Sequence, residues 1–124
     1  MKTVLIIEDN EDNMVLITRL LEKAGYRTIW AETGQQGLDM TITEKPDFII
    51  LDILLPDTLG TEVLAKLKKN DTLSKIPVIA MTSYAMAGDR EKMLAAGCNG
   101  YIEKPVDPLR VISQIKKITG DPNE

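Results

Sequence analysis

Thr3-Val4-Leu5-Ile6-Ile7-Glu8-Asp9 and Phe48-Ile49-Ile50-Leu51-Asp52 decide how this chain is read. In both, an unbroken apolar run rich in β-branched residues ends abruptly in acid. Short runs of that composition, closed by polar residues, mark strands buried on both faces of a parallel sheet. Parallel strands end at a common edge, and ligand sites in open α/β sheets form there. Two more runs stop in the same way. Pro77-Val78-Ile79-Ala80-Met81 meets Thr82, and Gly100-Tyr101-Ile102 meets Glu103-Lys104-Pro105. The pattern predicts acidic residues, a hydroxyl and an ammonium gathered at one sheet edge. That grouping suits phosphoryl transfer.

Between these runs, helix signals alternate with strand signals. A helix is expected from about 11 to 24, where Met14, Ile17, Leu21 and Ala24 recur at helical spacing and Gly25 suits the C-terminal cap. A weaker strand spans Thr28 to Ala31. Thr33 and Gln36 have capping-box spacing for a second helix that ends before Pro46. The third strand is expected at 47–51, its helix at 60–69, the fourth strand at 77–81 and its helix at 86–96. After a short strand at 100–102, Asp107-Pro108 reads as an N-cap followed by proline at the first helical position. Five β-α units predict an α/β fold, a single doubly wound parallel sheet of flavodoxin-like strand order 2-1-3-4-5. In that order strands one and three are neighbours, so Asp9 and Asp52 converge on the crevice.

Composition narrows the function. The 124 residues, 44% hydrophobic, suit one ordinary domain. No apolar run approaches the roughly 20 residues that span a membrane, and Met1-Lys2-Thr3 enters a strand without a cleavage site. Cys98 is the only cysteine and lacks a histidine to activate it, so it reads as a passive thiol in a reducing, cytoplasmic setting. The net charge is −4, and the lysines at 66, 68, 69, 116 and 117 read as solvated helix faces. Direct nucleic-acid binding is not expected, because it needs a concentrated basic face. The absence of histidine excludes a His-based triad and a phosphohistidine on this chain. Any bound metal is then a hard, oxygen-ligated cation such as Mg²⁺.

Asp52 is the expected nucleophile, since a carboxylate can attack phosphorus and form an acyl phosphate. An anionic donor approaches three acids only if a cation sits among them. Asp9 and Asp52 are candidate direct Mg²⁺ ligands, Glu8 a direct or water-mediated one, and the backbone carbonyl of Leu54 a fourth. Lys104 offers a point charge to phosphoryl oxygens, and the bond to Pro105 is open to either isomer. Thr82 offers a hydroxyl, with a helix cap or turn as its alternative role.

Taken in order, Glu8-Asp9, Asp52-Ile53-Leu54-Leu55-Pro56 with Gly60, Thr82-Ser83 and Lys104-Pro105 resemble the receiver domains of bacterial response regulators. The resemblance spans residues 3 to 118. It implies one receiver domain over 1–124 with no output domain, acting in a two-component phosphorelay rather than as an enzyme. It implies that Asp52 accepts phosphate from a sensor histidine kinase or a histidine phosphotransfer protein, with Lys104 assisting. Glu8 and Asp9 would lie in the Mg²⁺ site, and Thr82 and Lys104 would read the phosphoryl group. Tyr101 matches an aromatic that swings inward on phosphorylation; its other reading is a half-buried strand residue. A surface of the fourth helix, fifth strand and fifth helix would then engage a downstream protein, as a monomer or a phosphorylation-dependent dimer. Tyr84 and Met86 add an apolar contact entering the fourth helix, or simply pack against it. Glu8-Asp9-Asn10-Glu11 with Asn13, and Ala85-Met86 with Gly88-Asp89, are most similar to stand-alone DivK-type regulators and to hybrid-kinase receivers. Leu59 departs from the acidic or small polar residue that often precedes the glycine.

Leu54 and Tyr84 lie two residues beyond Asp52 and Thr82, near the approach of a hydrolytic water. Neither positions water and both exclude it, so slow self-dephosphorylation is expected. Two competing readings remain. An aspartate-dependent phosphohydrolase would have Asp-x-Asp after the first strand, whereas Asp52-Ile53-Leu54 follows the third. A receiver-fold interaction module that is never phosphorylated would have no need of Asp9, Asp52, Thr82 and Lys104 together.

Overall fold

The computed structural model describes residues 1–83 and 88–121. Its strands are β1 (Thr3–Ile7), β2 (Arg27–Ala31), β3 (Phe48–Leu51), β4 (Val78–Thr82) and β5 (Gly100–Glu103). They form one parallel sheet in the order β2-β1-β3-β4-β5. The helices are α1 (Glu11–Lys23), α2 (Gly34–Glu44), α3 (Gly60–Lys68), α4 (Asp89–Ala95) and α5 (Val111–Thr119). The expected fold class and strand order are therefore found. No helix among the described residues is long and apolar enough to cross a membrane.

Strand alternation sends successive side chains to opposite faces, and each face carries its own core. Val4, Ile6, Ile50 and Met81 pack with Ile17 and Leu21 of α1 and with Val111 and Ile115 of α5. Leu5, Ile7, Ile49, Leu51 and Ala80 pack on the other face with Val63, Leu64 and Leu67 of α3 and Met93 of α4. Burial on both faces explains why β1, β3 and β4 read as continuous apolar runs. Pairing of Ile7 with Leu51 carries the ends of β1 and β3 to the same level.

Helix ends follow the local chemistry. Gly25 (φ +96°) closes α1 as a Schellman turn, with Gly25 N donating to Glu22 O and Tyr26 N to Leu21 O, both at 3.0 Å. Gly97 (φ +108°) closes α4 the same way, through Gly97 N to Leu94 O and Cys98 N to Met93 O. The last helix starts later than its sequence suggests. Asp107 does act as a local acceptor, its Oδ1 taking the Leu109 N–H at 2.9 Å and its carbonyl the Arg110 and Val111 N–H groups. Those bonds close a turn, however, and Arg110 (φ −120°, ψ −24°) still lies outside helical geometry. The regular helix begins at Val111, the first residue able to bury itself in the core. For the helix expected at 86–96, the structure describes Asp89–Ala95, and Tyr84 to Met86 lie outside the described residues.

Candidate functional site

The site forms where β1 and β3 end. Glu8 N donates to Ala31 O and Asp52 N to Ile7 O, both at 3.0 Å, so ladder bonding carries one residue past each strand. Glu8 is buried, and each carboxylate oxygen has a partner. The Lys104 ammonium lies on Oε1, and Asn10 N–H donates to Oε2 at 3.3 Å. Pairing of this kind is what makes a buried carboxylate tolerable. Asn10 also caps α1 by accepting the Asn13 N–H at 3.0 Å. The Glu8–Asp9 turn is thus tied to a helix start on one side. On the other, the Trp30 indole N–H donates to Glu8 O at 2.6 Å.

Asp9 is exposed and Asp52 half-buried, and one carboxylate oxygen from each of Glu8, Asp9 and Asp52 lies within 4.8 Å of the others. Lys104 Nζ stands 3.7 Å from Asp52 Oδ2, with both side chains mostly covered. Burial, then the neighbouring Glu8 carboxylate, pushes the Asp52 pKa up to about 7 against the opposing pull of Lys104. Oxygen-only donors suit a hard divalent cation. Octahedral Mg²⁺, with bonds of about 2.1 Å, spaces its oxygens roughly 3 to 4.2 Å apart, a closure that small side-chain rotations would supply. The residues present therefore fit Mg²⁺.

The loop from β3 to α3 folds back on itself. Leu54 and Leu59 form an antiparallel bridge, Leu55 N donates to Thr58 O at 3.2 Å, and Gly60 N to Ile53 O at 2.6 Å. Leu54 N–H also points at Asp52 Oδ1, 3.4 Å away. Leu54 itself is 44% exposed at the mouth of the site.

Thr82 is buried at the end of β4, and its carbonyl accepts the Lys104 N–H at 2.8 Å. The two residues expected to read a phosphoryl group are therefore neighbours through the backbone. The Lys104–Pro105 peptide bond is cis. Tyr101, in register with Ala80, is half-buried against the core on the α3–α4 side. Thr82, two residues beyond Ala80, faces the same way by strand alternation. Glu8, Asp9, Asp52 and Lys104 are thus brought together, with Thr82 and Tyr101 on the adjoining strands.

Two residues near this edge escaped the sequence reading. Trp30 was visible only as a strand residue, although it holds the Glu8 carbonyl. Asp57 carries no motif in the sequence, although its carboxylate accepts the Gly34 N–H at 2.8 Å and the Gln35 N–H at 3.0 Å.

A parallel 2-1-3-4-5 sheet with a carboxylate trio and a lysine at its carboxyl edge defines a signalling receiver, and residues 4–116 match the response regulator receiver domain. The chain belongs to that family. It is 47% identical over 120 residues to the polar-differentiation response regulator DivK of Brucella anthropi, an alignment covering 97% of this chain and 98% of that protein. A response regulator structure from Chloroflexus aurantiacus superposes with a TM-score of 0.91 at 25% identity, covering 96% of this chain and 98% of that one. The receiver domain of a sensor histidine kinase from Pseudomonas aeruginosa, solved with magnesium in its active-site cleft, gives 0.87 at 29% identity, with 97% and 98% coverage. The chain is a DivK-like receiver of the two-component type, a class of generally non-catalytic signalling proteins that work with histidine kinases and downstream partners.

Proposed function

We propose that this receiver is switched by phosphorylation of Asp52. The observation that carries the reading is the grouping of Glu8, Asp9 and Asp52 around a common point, with the Lys104 ammonium on Glu8 and 3.7 Å from Asp52. The donor is the phosphohistidine of a sensor histidine kinase or a histidine phosphotransfer protein. An Asp52 carboxylate oxygen forms the new O–P bond as the P–N bond breaks, and the imidazole leaves with the electron pair and takes up a proton. Glu8, Asp9, Asp52 and the Leu54 carbonyl would hold Mg²⁺, which would supply charge neutralisation and polarise the phosphoryl oxygens. Lys104 is already desolvated beside Asp52, so its charge acts at high effective strength on the incoming group.

Thr82 and Lys104 then bind the phosphoryl oxygens, and Tyr101 repacks on the face it shares with Thr82. The readout is the surface of α4, β5 and α5, where Arg90, Tyr101, Glu103, Arg110 and Gln114 line an open groove. A downstream protein docks there, with the receiver as a monomer or a phosphorylation-dependent dimer in the cytoplasm. Switching is a population shift, and it requires phosphate to favour one arrangement over the other.

Intact mass after incubation with acetyl phosphate and Mg²⁺ tests the reading. The expected result is a gain of about 80 Da, one phosphoryl group, that needs metal and is lost in Asp52→Asn. A wild-type protein that stays unmodified with both acetyl phosphate and phosphohistidine donors would overturn it in favour of an unphosphorylated interaction module.

A further inference from the structure

The four free N–H groups that open a helix need acceptors from outside its own hydrogen-bonding ladder. At α2, where Thr33 is the N-cap, the N–H groups of Gly34, Gln35 and Gln36 all find such acceptors. Gly37 N bonds to Thr33 O at 2.9 Å as the first rung of the ladder, and Gln36 N to Thr33 Oγ1 at 3.0 Å. The remaining two, Gly34 N and Gln35 N, both donate to the Asp57 carboxylate, at 2.8 and 3.0 Å. Asp57 is 23 residues away in sequence from Gly34, at the far end of the folded-back loop that begins with Asp52. The first turn of α2 holds no acidic residue of its own, so Asp57 supplies in trans the negative charge that a helix start favours. The same two N–H groups, Gly34 first, hold its carboxyl below the usual carboxylate range.

Packing reinforces the contact. A Cβ on Gly34 would lie 2.4 Å from Thr58 Cγ2 and 2.9 Å from Val63 Cγ2. The helix start therefore approaches the loop as closely as only glycine permits. From this anchor the chain runs back through the Leu55–Thr58 and Leu54–Leu59 pairings to Leu54, whose N–H faces Asp52 Oδ1.

We infer that Asp57 is a positioning residue for the cation site: by clamping the tip of the β3–α3 loop to the start of α2, it fixes Leu54 relative to Asp52. The inference rests on the reading that Glu8, Asp9, Asp52 and the Leu54 carbonyl hold Mg²⁺, and it adds a determinant that touches neither metal nor phosphate.

Titration calorimetry of the full chain with MgCl₂ tests this. Work in about 0.5 M KCl screens charge effects transmitted through water within roughly 5 Å. Asp57→Ala should bind Mg²⁺ about tenfold more weakly, the lower end of what supporting residues contribute. Asp57→Asn, which keeps one acceptor oxygen, should fall between it and wild type. Thr33→Ala removes a different cap from the same helix while leaving the loop clamped, so it should lower the melting temperature yet bind Mg²⁺ like wild type. If both Asp57 variants bind like wild type, or if Thr33→Ala weakens binding as much as Asp57→Ala, the positioning role is overturned. A wild-type protein that binds no Mg²⁺ would instead overturn the underlying reading of the site, and the inference with it.

Discussion

Gly60→Ala is a substitution whose sign divides helix propensity from site geometry. Gly60 opens α3 with a φ outside the left-handed region, where replacing glycine by alanine ordinarily stabilises by about 0.4–1 kcal/mol through the unfolded chain. Here the added Cβ would lie 2.6 Å from the carbonyl oxygen of Asp52 and 2.8 Å from Ile53 Cα. Both are backbone atoms, so no rotamer change relieves the overlap. The end of β3 must move, and Asp52 moves with it. Overpacking of this kind costs about 1–3 kcal/mol, enough to outweigh the propensity gain. Net of the propensity gain the loss is at most about 2.6 kcal/mol, and in a domain of this size each kcal/mol shifts the melting temperature by roughly 3–5 °C, so a fall of up to roughly 13 °C is expected. Mg²⁺ affinity should fall as well. Thermal unfolding and magnesium titration are the assays, with Gly25→Ala as the comparison. At Gly25 an alanine meets nothing within 4 Å but must adopt φ +96°, which costs about 1–2 kcal/mol and leaves the site intact. A Gly60→Ala protein as stable as wild type, with unchanged Mg²⁺ binding, would refute the close approach.

Leu59 is the N-cap of α3 yet offers no side-chain hydrogen bond and is 49% exposed, so Leu59→Ser should stabilise the domain by about 1 kcal/mol in chemical denaturation. Burial holds the Asp52 pKa near 7, above its unfolded value. In the absence of metal the stability associated with Asp52 is therefore full below pH 4 and lost as pH rises toward 7. Asp52→Asn should consequently gain stability over wild type at pH 8 and not at pH 4, as melting curves in EDTA would record; equal differences at both values would contradict the shift. Leu54 stands exposed at the mouth of the site, so Leu54→Asn should shorten the lifetime of the phosphorylated form, followed by loss of the 80 Da adduct (about one phosphoryl group).

The strands were legible because burial on both faces leaves β1, β3 and β4 with no polar residue except a threonine at the start of β1 and at the end of β4. Their acidic ends marked the site for the same reason. Helix boundaries were legible where a single residue sets them, as at Gly25. The boundary at Asp107-Pro108 failed because the acceptor chemistry that caps a helix also closes a turn, and only core contact at Val111 decides between them. The Thr33–Gln36 spacing fared better but incompletely: Gln36 Oε1 accepts the Glu32 N–H at 2.9 Å, one residue before the cap itself. Trp30 and Asp57 left no local signal. Their partners, the Glu8 carbonyl and the Gly34 and Gln35 N–H groups, are 22 or 23 residues away and meet them only after the sheet has assembled.

Charge balance explains how this edge can fold and how, on the proposed reading, it would switch. Three carboxylates against the Lys104 ammonium leave two negative charges uncompensated when all are ionised. Lys104 is shared between Glu8 and Asp52, and so holds the two most covered acids without satisfying all three. The raised Asp52 pKa is the protein's own partial answer, since a proton removes one of the two charges. A divalent cation would remove both, and Mg²⁺ would have to displace that proton to bind. A phosphoryl group on Asp52 would carry about 1.5 to 2 negative charges in place of the carboxylate's one, beside Lys104, whose backbone N–H is bonded to the Thr82 carbonyl. Redirecting Lys104 from Glu8 toward that new charge would pull on the end of β4 and on the face shared by Thr82 and Tyr101. On the proposed reading, an electrostatic change at Asp52 would thereby become a packing change beside α4.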